Sequence, residues 1–148
     1  MNYKKILIGV LIGIIVVGVG YFSVHAYANN KVLEKYAAGY EKNRLGDYTK
    51  NESDMVIAVY KTPLFQSYTN ISISSREKVD LLIWVPLYGG DLSYGIVVTD
   101  DEKEQRYEIE VNDHLEAKNP ENQEILKNNE ETIQELKDIA KKEWGINL

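Results

Sequence analysis

Seventeen consecutive residues near the N-terminus, Ile6 to Phe22 (ILIGVLIGIIVVGVGYF), carry no charged or strongly polar side chain. As a helix they extend roughly 25 Å, against a hydrocarbon core of about 30 Å that takes about 20 residues to cross. Continuing through Ser23-Val-His-Ala-Tyr-Ala28 supplies that length and places Tyr21, Phe22 and Tyr27 where an interfacial aromatic belt sits. Apolar residues cover every face of the stretch, and nothing downstream is large enough to enclose it. Lys4 and Lys5 precede the run and are expected to stay on the cytoplasmic side, with the rest of the chain outside.

Two fates are compatible with such a segment. The run is longer than the about 7–15 residues of a signal-peptide core, which favours a retained single-pass anchor built on Lys4, Lys5, Ile6, Gly9, Gly13 and Phe22. Alternatively, Ala26-Tyr27-Ala28 fits the small-x-small pattern before a cleavage point at Asn29, which would release a freely secreted domain. Either way the chain divides into residues 1–28, a signal-anchor or signal peptide, and residues 29–148, an extracytoplasmic domain. Gly9 and Gly13 form a G-x-x-x-G pair, which is expected to permit at most weak self-association of the helix.

The exported part is acidic. Lys4 and Lys5 are the only charged residues before Lys31, so all 23 Asp and Glu lie beyond them, against 15 Lys and Arg. An overall field of that sign repels nucleic acid, and no basic stripe offsets it. The absence of cysteine excludes a disulfide framework, thiolate metal sites and a lipid-modified cysteine after the signal. Packing alone must hold the domain.

The remaining pattern predicts an α+β two-layer domain. Val32, Leu33, Tyr36, Ala37 and Tyr40 recur at helical spacing after Asn29 and Asn30, with Gly46 placed to end the helix. Nothing between Phe22 and Val32 forbids helix, so this element and the anchor are compatible with one continuous rod. Four or five antiparallel strands are then expected, from Met55–Tyr60, Asn70–Ser74, Val79–Val85, Tyr94–Thr99 and Gln105–Val111, joined as a meander by short turns. A C-terminal helix begins at the cap Asn119 with Pro120 at its first position, buries Leu126, Ile133, Leu136, Ile139 and Ala140, and closes at Gly145. In element order alone this is similar to cystatin-like and PepSY-like modules attached to bacterial membranes, a similarity that implies nothing about activity.

Chemistry-bearing motifs are scarce. No H-E-x-x-H, G-x-S-x-G, S-x-x-K or phosphate-binding loop is present, and no cofactor or metal site is expected. His114 is the one histidine beyond the anchor, with Asp113 and Glu116 beside it. Asp100 to Glu104 lacks the spacing of a calcium loop. Acidic residues alternating along a strand read as a solvated face. Tyrosine is enriched, with 11 in the chain, and aromatic side chains favour recognition surfaces. Tyr60, Phe65, Tyr68, Trp84, Tyr88 and Tyr94 are therefore the candidate binding set. The expected function is a non-enzymatic, membrane-anchored binding or accessory domain of a bacterial cell envelope, with an envelope protein or wall component as partner. The alternative is a small envelope enzyme using carboxylates or His114.

Overall fold

A computed structural model describes residues 3–148. Met1, Asn2 and the side chain of Lys5, part of the expected cytoplasmic flank, lie outside the described residues. One helix, α1 (Tyr3–Tyr36), runs 34 residues without interruption. Seven strands follow: β1 (Glu41–Lys42), β2 (Tyr48–Glu52), β3 (Met55–Val59), β4 (Tyr68–Ser75), β5 (Val79–Pro86), β6 (Ser93–Asp100) and β7 (Gln105–Val111). They pair antiparallel in sequence order as one sheet. A 3-10 turn (Pro120–Asn122), α2 (Gln123–Asn128) and α3 (Glu130–Trp144) complete the chain.

The α+β class is as expected, but the strand count is seven rather than four or five. Of the two extra strands, β1 occupies the stretch read as the end of the first helix, and β2 lies just beyond Gly46, where no element was expected. That helix stops at Tyr36, and Gly46, at φ 95°, sits in the β1–β2 turn instead of capping it. Nor does Asn29 act as a cap. It lies mid-helix, buried, and its Oδ1 accepts a hydrogen bond from Thr62 N at 3.2 Å.

Alternation decides the sheet's two faces. Along β5, Val79, Leu81, Ile83 and Val85 are buried while Asp80, Leu82, Trp84 and Pro86 are half-buried. Cross-strand partners share a face, so Ile57, Ile71, Ile73, Ile96 and Ile109 join the buried side. Against it pack α3, through Ile133, Leu136, Ala140 and Trp144, and the C-terminal part of α1, through Tyr36 and Ala37. Among the described residues, no helix covers the opposite face.

The C-terminal helix is broken where one was expected. Asn119 Oδ1 accepts from Glu121 N, as a cap should, but Asn129 Nδ2 donates to Ile125 O at 2.8 Å and the helix restarts beyond it. A side-chain amide competing for a helix carbonyl is the usual way asparagine interrupts a helix. Gly145, at φ 68°, closes α3 in the left-handed conformation. Beyond it, Ile146 and Leu148 are also buried.

Candidate functional site

The structure splits the six candidate aromatics into three places. Trp84 and Tyr68 line a groove on the open sheet face, Phe65 and Tyr88 meet α1, and Tyr94 lies on the core side near the groove's rim. Tyr60 is exposed at the end of β3, in the row of the open face that continues through Asn70 to Trp84.

The open-face groove has a volume of about 410 Å³. Trp84 reaches over Gly95: a Cβ there would stand 2.7 Å from Trp84 Cη2, so only glycine lets the indole approach β6 this closely. Tyr68 and Pro86, a cross-strand pair, form one wall. Asp91, Glu110 and Lys118 supply charge around it. Burial first, then the carboxylate of Asp113, raise the Tyr94 phenol above its ordinary pKa. Asn70 Oδ1, beside Trp84 in the pairing register, is buried and has no hydrogen-bond partner among the described residues. A flat apolar surface with a few convergent polar groups suits stacking recognition.

The second cluster joins α1 to the domain. His25 is 2% exposed, and its Nδ1 lies 2.9 Å from the Tyr88 hydroxyl. Tyr21 donates its hydroxyl proton to Leu64 O at 2.6 Å and stacks on both His25 and Phe65. One helical turn further, Asn29 receives Thr62 N–H. The sequence places Tyr21 in an expected aromatic belt and His25 at the end of the anchor, and neither position is expected to touch the domain. Their one local signal is a polar residue at i+4 from an aromatic at the run's end.

A third group is ionic. Glu143, whose side chain is 8% exposed, accepts from Lys50 Nζ at 2.7 Å and from the Tyr40 hydroxyl at 2.9 Å. Glu52 pairs with Lys142 and, at 3.3 Å, with Lys50. Hydrogen bonds from Lys142 and then Lys50 hold Glu52 down at about 2, while burial and then Glu143 raise Tyr40. Two carboxylates interleaved with two lysines are mutually neutralised; they fasten α3 to the edge of the sheet.

Of the acids beside His114, Glu116 shares a cavity with it and Asp113 does not. The His114 ring is exposed, 3.9 Å from Asp113 Oδ1. It borders a cavity of about 400 Å³ walled by α2 and α3, whereas Asp91 and Asp113 line another. Among the described residues no group of three or more His, Cys, Asp or Glu is placed to hold a metal ion.

The positions before Tyr21 stand free of the domain: Ile6 to Gly20 line an open helix surface, Gly9 and Gly13 have open space where a Cβ would be, and Lys4 and Phe22 are exposed. Ser23 does not interrupt the apolar surface, because its hydroxyl donates to Val19 O at 2.8 Å. By length and composition α1 is able to cross a membrane or to act as a signal. Ala26 is exposed on the helix, while Ala28 is buried. No family model, curated protein or solved structure matches this chain.

Proposed function

We propose that the chain is a single-pass membrane protein of a bacterial-type cell envelope, whose domain stands on the non-cytoplasmic side and binds a ligand without transforming it. One observation carries the reading. A single helix is bare and apolar from Ile6 to Gly20, is fastened to the domain's turns through Tyr21, His25 and Asn29, and reaches the core at Tyr36.

That continuity favours retention over cleavage. Cutting after Ala28 would put a protonated α-amino group on Asn29, which is buried, and a charge without a partner there is costly. It would also remove His25 from between Tyr21 and Tyr88. The groove over Trp84 supports binding because Tyr68, Trp84 and Pro86 give it an apolar surface and Asp91, Glu110 and Lys118 set polar groups around it. The ligand we assign to it is an extended segment of an envelope protein or wall polymer, stacked on Trp84 and hydrogen-bonded at the rim.

The experiment is membrane fractionation followed by N-terminal sequencing and protease treatment of intact cells. The reading expects the full-length chain, unprocessed at Asn29, in the membrane fraction and degraded by external protease. Recovery from the medium with Asn29 at the N-terminus would replace it with the secreted alternative. For the groove, the detergent-solubilised full chain is titrated with soluble wall fragments and with envelope extract. Trp84→Ala is expected to weaken the interaction by about 2 kcal/mol, roughly thirtyfold. His114→Ala is expected to leave it unchanged.

A further inference from the structure

The exposed large apolar side chains of the domain are not scattered. Leu45, Leu64, Phe65 and Tyr88 all lie in turns at the end of the sheet from which α1 emerges, and Tyr60 and Tyr68 flank the same end; Val56 alone lies toward the other. Hydrogen bonds gather these turns into one surface. Leu87 N donates to Ser67 O at 2.8 Å, joining the β5–β6 turn to the β3–β4 turn. Lys61 N donates to Asp47 Oδ1 at 3.1 Å, joining the β3–β4 turn to the β1–β2 turn.

That surface continues the apolar helix. Phe65 is 86% exposed, yet its ring stacks on Tyr21, 6.5 Å between centroids and 15° from parallel, and Tyr21 also binds the neighbouring Leu64 carbonyl. At about 1.5 Å per residue, Tyr21 lies roughly 22 Å along α1 from Ile6, inside a core of about 30 Å. Any bilayer crossed by Ile6 to Phe22 therefore reaches Phe65.

Cations lie within reach of the same surface. Lys42, Arg44 and Lys61, all exposed, surround the apolar tips, alongside Asp91 in the β5–β6 turn and Asp47, which Lys61 N–H engages. The turns at the opposite end mix Asp54, Glu77, Asp101, Glu102 and Glu104 with Arg76, Lys78 and Lys103. The end beside α1 thus has cations to offer to lipid phosphates.

We propose that this end of the domain is a second membrane contact: Leu45, Leu64, Phe65 and Tyr88 insert into the outer leaflet's interface while Lys42, Arg44 and Lys61 meet lipid phosphates. The proposal rests on the anchor reading above. It makes the domain a body seated on the bilayer at fixed height and orientation, with the Trp84 groove held close above the head groups.

The chain has no cysteine, so single cysteines introduced for nitroxide labelling report one site each. The full-length chain is reconstituted into phosphatidylethanolamine and phosphatidylglycerol vesicles. Labels are placed at Leu11→Cys, Leu45→Cys, Phe65→Cys and Glu102→Cys, and collision with oxygen is compared with collision with a water-soluble nickel chelate. The oxygen-to-nickel ratio is expected to be several-fold higher at 45 and 65 than at 102, and highest at 11. A lipid signal at 11 with 65 indistinguishable from 102 overturns the second contact and leaves the anchor standing. A water signal at 11 overturns both. Because Leu45 and Phe65 make little contact within the domain, their replacement leaves the fold intact, which unchanged circular dichroism verifies.

Discussion

Trp84 and Gly95 illustrate how much one atom decides on this protein's open face. With a methyl at position 95 the indole must lift, since Cη2 and Cζ3 stand 2.7 and 3.0 Å from the added carbon. Gly95→Ala is therefore expected to cost about 1 kcal/mol, at the low end for overpacking because the ring has solvent to swing into. The groove should be lost at the same time, as a shift in near-ultraviolet circular dichroism and weakened ligand binding would report; an unchanged spectrum would mean the ring does not lie on β6. Glu52 gives a pH signature. Its folded pKa, about 2, is below the ordinary 4.5, so the stabilisation from Lys142 and Lys50 is present above pH 4.5 and is lost as pH falls through about 2. Denaturant midpoints of wild type and Glu52→Gln are expected to differ at neutral pH and to converge between pH 4.5 and 2. Neither the glycine's role nor the carboxylate's partners was legible in the sequence. Both depend on residues brought from elsewhere: Trp84 from the neighbouring strand, Lys142 from a helix 90 positions away.

At the level of elements, local pattern was a good guide wherever burial alone sets the periodicity. β7 matches its expected bounds, Gln105–Val111, because Tyr107, Ile109 and Val111 face the core against Arg106, Glu108 and Glu110. β2 escaped notice for the converse reason. Its inward side is Tyr48, Lys50 and Glu52, charges that are acceptable there only because Glu143 and Lys142 of α3 answer them. A strand whose core-facing residues are ionic has no alternation to read. The helix α1 combines both lessons: its apolar run is plain, but the polar contacts that fasten its second half are not. Asn29→Ala would leave Thr62 N–H buried without its acceptor, and such an orphan costs about 1–3 kcal/mol. The expected result is a lower melting temperature of the full chain in detergent, with the helix content unchanged. No loss of stability would show that α1 and the domain are not fastened at this point.

For the whole molecule, the proposed anchor reading implies that the apolar segment and the domain are not separable at Ala28. Removing residues 1–28 deletes the His25–Tyr88 contact and the buried Ala28, and starts the chain with a charged amine at a buried residue. A truncated chain, residues 29–148, is expected to be destabilised by at least about 1–2 kcal/mol, a few degrees in Tm, when both forms are compared in the same detergent. Equal stability would favour cleavage and a secreted domain. The amino-acid sequence was sufficient for the apolar N-terminal span, the α+β class, the central strands and the capped C-terminal region, because each is a matter of which side chains avoid water at a regular interval. Only the tertiary structure decided that the six aromatics divide between a groove, a helix junction and the core side. It also decided that β1 replaces the end of a helix with β2 following it, and that the apolar turns gather at the end beside α1. Those features arise from contacts between residues tens of positions apart, and distance along the chain carries no periodic signal of nearness in space.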